Sequence, residues 1–189
     1  MIGIILAFGK KTVFSLLETL IITEVEVEKD YVIVEKETVK IVIKENVPEI
    51  GYYSIKLNRI VLDKELTKNK RYYYEVLFHE ICHKIMKKKY QIYYENEEII
   101  CDLYSLVKTG NNSFLKKLSE TSDTFSELFF YIILNGNHPP IQARIIIAEK
   151  FRKGKLPEVI TKDTIVKWLG IKIEKIKEGN ISIKLPAEK

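Results

Sequence analysis

Between Leu62 and Lys70 the hydrophobic period changes from that of strands to that of a helix, and that change limits the folds open to the chain. Upstream, apolar and polar residues alternate: Val25 and Val27, then Tyr31 and Ile33, then Val39, Ile41 and Ile43. A period of two buries one side of a strand and wets the other, so this stretch predicts a half-buried, mostly antiparallel sheet. From Lys70 to Lys88 the period becomes helical, with Tyr73, Val76, Leu77, Ile81 and Ile85 as apolar anchors. Strands followed by helices predict an α+β fold.

Local signals fill in the rest. Residues 1–22 read as a short strand, a Gly9-Lys10-Lys11 turn and a short amphipathic helix. Lys29-Asp30 marks a turn, Pro48 and Gly51 punctuate a loop, and Ile55 to Leu62 reads as a further strand. Tyr90 to Tyr94 reads as a connector, and a helix from Glu95 to Lys108 stops at Gly110. Ser113 opens another, and Thr124-x-x-Glu127 resembles a capping box for a helix ending at Asn135-Gly136. Pro139-Pro140 starts the next, which runs to Arg152. Beyond Gly154 and Pro157, a short helix ends at Trp168-Leu169-Gly170. A hairpin then pairs Ile171 and Ile173 with Ile181 and Ile183. The expected organisation is one domain over 1–154 and a helix–hairpin extension over 155–189 packed on it.

Composition narrows the function classes. A hydrophobic content of 46% supports a real core. Lys and Arg number 31 against 26 Asp and Glu, and the signs are interspersed, so the surface reads as solvated and no nucleic-acid partner is expected. The run Lys87-Lys88-Lys89 fits the basic end of a helix. Abundant Lys, Glu and Ile with only two Gln resembles thermophile composition. No stretch reaches the roughly 18 apolar residues of a membrane span, and two cysteines are too few for a secreted disulfide scaffold. A soluble cytoplasmic protein is the expectation, and a homo-oligomer is compatible with it.

Residues 79–83 read His79-Glu80-Ile81-Cys82-His83, an HExxH signature. On a helix, His79 and His83 lie one turn apart on one face and can share a cation. Glu80 lies about 100° round, within reach of a water on that cation. A catalytic zinc takes three protein ligands and a water, so a third ligand is expected from another element. Glu98-x-x-x-Asp102 on the following helix supplies Glu98 as that ligand. Asp102, one turn later, can accept the N–H of a ligating histidine. Glu95 and Glu97 are expected to point elsewhere, with Glu97 the main rival to Glu98. Cys82 and Cys101 are expected to meet where the two helices pack, as buried hydrophobes. A thiolate ligand or a disulfide is the alternative.

HExxH followed by a helix carrying Glu-x-x-x-Asp resembles the gluzincin zinc peptidases. The run His138-Pro139-Pro140-Ile141-Gln142-Ala143-Arg144-Ile145 resembles a segment of the CaaX-protease and HtpX-type enzymes. Phe114 to Glu120 is similar to the helix before that segment, and Arg59 to Asp63 to an edge strand before the HExxH helix. The chain departs from those enzymes in lacking their membrane helices and in the short gap from His83 to Glu98, which is closer to soluble minigluzincins. The resemblance implies a zincin-like fold, one zinc ion per chain, and His138 approaching the metal or stabilising an oxyanion. Arg144 would pair with an acid nearby, and His138 could equally be a helix cap.

The first reading is a zinc-dependent endopeptidase with Glu80 as general base, acting on a protein or peptide laid along the Ile60 to Leu62 strand. The second is a catalytically silent or latent zinc-binding regulatory protein. The third is a buried HExxH helix with no metal.

Overall fold

The computed structural model describes residues 8–47, 50–90, 97–123, 126–127, 131, 138–157, 159–170, 172–177 and 180–184. It is α+β. Strand β1 (Phe8–Gly9) leads directly into helix α1 (Lys10–Ile21), so Lys10 and Lys11 form the first turn of a helix rather than a reverse turn. A five-stranded sheet follows, built from β2 (Val25–Val27), β3 (Tyr31–Val34), β4 (Glu37–Lys44), β5 (Gly51–Ser54) and β6 (Arg59–Asp63). Their order is β2-β3-β4-β6-β5, and all pairs are antiparallel except β4 with β6.

The sheet differs from the sequence expectation at its last hairpin. Ile55 to Leu62 is not one strand: residues 55–58 turn, and the strand resumes at Arg59. Asn58 is the reason. It takes a left-handed φ of 42°, a conformation asparagine tolerates. Its side chain accepts from the Tyr53 hydroxyl (2.9 Å) and donates to Glu37 (3.1 Å). Ile55 and Leu57 are left exposed. Gly51 is likewise not loop punctuation but the first residue of β5. A Cβ there would lie 2.9 Å from Val76 Cγ1 and 3.0 Å from Leu62 Cδ2, so its lack of side chain lets β5 close on the next helix. β6 is not an edge strand. It lies between β4 and β5, with Ile60 to Asp63 buried, and the edge on that side is β5.

Helix α2 (Lys70–Tyr90) packs against β5 and β6 and carries residues 79–83. It is buried round much of its circumference, with apolar Leu77, Ile81 and Ile85 and polar Glu75, Glu80 and Lys84 all inside. Helix α3 (Glu97–Thr109) packs along it, followed by α4 (Ser113–Ser119), α5 (Ile141–Arg152), β7 (Val159–Ile160) and α6 (Lys162–Trp168). A hairpin of β8 (Lys172–Lys177) and β9 (Asn180–Lys184) pairs Ile173 with Ile183. β7 pairs with β1, and Leu156, Ile160 and Ile165 join the main core cluster, so part of the C-terminal extension completes the core. The expected Tyr90–Tyr94 connector, Glu95, Thr124, Asn135-Gly136 and Ile171 lie wholly or mostly outside the described residues. No helix among the described residues is long and apolar enough to cross a membrane.

Candidate metal centre

Two helices build the centre because their sequences put polar residues on facing sides. His79 and His83 leave α2 one turn apart, and α3 presents Glu97, Glu98, Cys101 and Asp102 to them. The Nε2 atoms of His79 and His83 lie 3.1 Å apart. Glu98 faces both, with Oε2 3.3 Å from His79 Nε2 and Oε1 3.2 Å from His83 Nε2. Each histidine uses its other nitrogen against a different carboxylate. His79 Nδ1 is 2.9 Å from Asp102 Oδ1, and His83 Nδ1 is 2.6 Å from Glu97 Oε1. Glu97 therefore turns onto His83, contrary to the expectation that it points away. Both oxygens of Asp102 also accept from Arg144 on α5, at 2.6 and 2.7 Å, and Arg144 Nη1 is 3.3 Å from Glu98.

These contacts fix the electrostatics. Burial works against charge on His79, but Asp102 and Glu98 outweigh it and raise its pKa to about 10. His83 is also raised well, against burial, by Cys101, Glu97 and Glu98. Burial alone would raise Glu98 and Asp102; instead the histidines hold Glu98 well down, and Arg144 with His79 holds Asp102 down. Two imidazolium N–H groups cannot face each other across 3.1 Å, so one Nε2 must offer a lone pair. The pocket favours positive charge, with its donor atoms converging on one point.

That geometry can be tested against an ion. Tetrahedral zinc with legs of ~2.0–2.1 Å to nitrogen and oxygen sets neighbouring ligand atoms ~3.3 Å apart. His79 Nε2 and His83 Nε2 are 3.1 Å apart, and Glu98 sets one oxygen 3.3 Å from the first and its other oxygen 3.2 Å from the second, spacings of that order. Cys101 is the other nearby donor: it, His79 and His83 place ligand atoms all within 4.8 Å of one another. Burial raises the Cys101 thiol well above its ordinary value, and its S–H donates to Cys82, which raises it further. Both cysteines are free and fully buried at the helix contact.

Glu80 is 5% exposed and lines the same cleft. Burial raises its pKa, the two histidines partly offset this, and the backbone N–H of Tyr53 on β5 donates to it. Tyr53 was not singled out from sequence; its contact depends on the close approach that Gly51 permits. The cleft, of about 1020 Å³, runs from β5 past Val76 and the histidines to α4 and Pro139. His138 stands at its rim, 76% exposed, with Nδ1 3.7 Å from Glu98 Oε1. It does not cap α5; Glu127 accepts from Ile141 N instead, at 2.9 Å. Tyr131 is buried in the core.

Comparison of the chain with protein-family models, with curated proteins and with solved structures finds no match.

Proposed function

We propose that the chain is a zinc-dependent endopeptidase in which His79, His83 and Glu98 hold one zinc ion. The observation that carries the reading is the convergence of two Nε2 atoms and an ionised carboxylate at 3.1–3.3 Å, with a buried glutamate next in sequence to one of them. Zinc bound there would polarise a peptide carbonyl and acidify a water. The chain's own groups supply the rest. Asp102 fixes the His79 ring, and Arg144 fixes Asp102. Glu80 takes a proton from the attacking water and returns it to the leaving amine, a role suited by a carboxylate whose basicity burial has raised. His138 at the rim would donate to a developing oxyanion. An extended peptide would pair along β5, the edge strand of the described sheet beside Glu80, and backbone pairing there would give a loose sequence preference.

The test is hydrolysis of an unfolded protein by zinc-loaded chain, compared with Glu80→Ala. The variant should lose on the order of 10³-fold in rate while still holding one zinc. Turnover retained by Glu80→Ala contradicts the assignment. Zinc uptake by both with no turnover by either favours the silent zinc-binding reading.

A further inference from the structure

Glu97 and Lys87 have no part in the scheme above, yet both are sheltered beside it. Glu97 opens α3 and is 6% exposed. One carboxylate oxygen takes His83 Nδ1 at 2.6 Å, and the other takes Lys87 Nζ at 2.7 Å. Lys87 follows His83 on α2 at a spacing of four, so both reach the same carboxylate from one face of the helix. With an oxygen committed to each, Glu97 cannot rotate without breaking one contact.

We propose that Glu97, held by Lys87, is a positioning residue for His83. The inference rests on the zinc reading of the site. The Nδ1–H of His83 donates to Glu97, which selects the ring tautomer whose Nε2 lone pair faces Glu98 and His79. Lys87 acts through Glu97 by fixing the direction of its carboxylate. An acid at a helix start is favoured by the helix dipole alone, but that preference explains neither the use of both oxygens nor their turn toward α2. Nor is this an exposed ion pair of negligible worth: the side chains are 17% and 8% accessible. The arrangement matches the other histidine, where Asp102 stands for Glu97 and Arg144 for Lys87. The Lys87 support is the less rigid one, a single contact on a flexible stem against a two-point guanidinium.

The test uses the full chain as Glu97→Gln, Lys87→Met and the double variant. Zinc affinity is read by competition with a chromogenic chelator, and the fold by thermal melting of the metal-free protein. Glu97→Gln should weaken zinc about tenfold or more, with metal-free melting kept. Lys87→Met should weaken it in the same direction by less. The double variant should be no weaker than Glu97→Gln, because Lys87 reaches His83 through that carboxylate. Zinc affinity of Glu97→Gln within twofold of wild type overturns the proposal, as do single effects that multiply in the double variant. If Glu97→Gln does not fold, Lys87→Met decides: affinity unchanged within error overturns the proposal. Failure of the wild-type chain to take up zinc is a separate result, which removes the zinc reading itself and this pairing with it.

Discussion

Two ladders on the same helix obey different rules. Leu77, Ile81 and Ile85 repeat every four residues along α2, and so do His79, His83 and Lys87. The ladders are offset by two residues, about 200° of rotation, so they occupy nearly opposite sides. The first is wholly buried among core side chains. The second is mostly sheltered, and its members meet acids that open or line α3: Asp102 and Glu98 for His79, Glu97 for His83 and Lys87. The apolar ladder needs only apolar neighbours of adequate volume. The ionic one needs particular partners at particular distances, because a buried charge left unpaired is costly. Stability should therefore depend on the first and metal affinity on the second.

That division can be broken by experiment. Ile81→Ala should destabilise the metal-free chain by ~2–5 kcal/mol through the cavity it leaves. Denaturant unfolding measures this, and a loss well below 1 kcal/mol would place the core elsewhere. Once folded, that variant should bind zinc with nearly wild-type affinity. Asp102→Asn should do the reverse in emphasis, weakening zinc about 10- to 100-fold by loosening His79. It should exceed the effect of Glu97→Gln, since Asp102 is also gripped by Arg144; a reversed order would assign the firmer support to His83.

The gentlest effect is on pH dependence. His79 gains its proton more readily when folded, with a pKa raised from 6.5 to about 10. Its contribution to the metal-free fold is complete below about pH 6.5 and is lost as pH rises toward 10. Melting temperature of the metal-free chain should fall across that window. With zinc in place of the proton the fall should vanish, and zinc affinity should grow with pH. A metal-free chain whose melting is flat over the window would contradict the pairing of His79 with Asp102 and Glu98.

The sequence made the apolar ladder easy to read and the ionic one only in part. Periodicity locates Leu77, Ile81 and Ile85 because burial of apolar groups is local and repetitive. The HExxH spacing puts His79 and His83 on one face for the same reason. The partner acids come from a helix whose rotation about its axis depends on packing that no local pattern fixes. Glu98 and Asp102 could be proposed as a one-turn pair, but the turn of Glu97 toward His83 could not. The one available signal was Lys87, four residues after His83, which with it offers two donors to a single acid. The sheet edge is hidden from the sequence for a different reason. Asn58 turns the chain inside a segment that reads as one strand, and the strand order β4-β6-β5 moves Ile60 to Leu62 off the edge. Strand order depends on crossover geometry, which alternation alone does not encode.

The central claim is that His79, His83 and Glu98 together hold zinc. X-ray absorption at the zinc edge on the zinc-loaded protein tests it most directly. The account predicts one zinc per chain surrounded only by nitrogen and oxygen at ~2.0–2.1 Å, with imidazole scattering from two histidines. A sulfur neighbour at ~2.3 Å would make Cys101 the ligand in place of Glu98, and a chain that retains no zinc would contradict the claim outright.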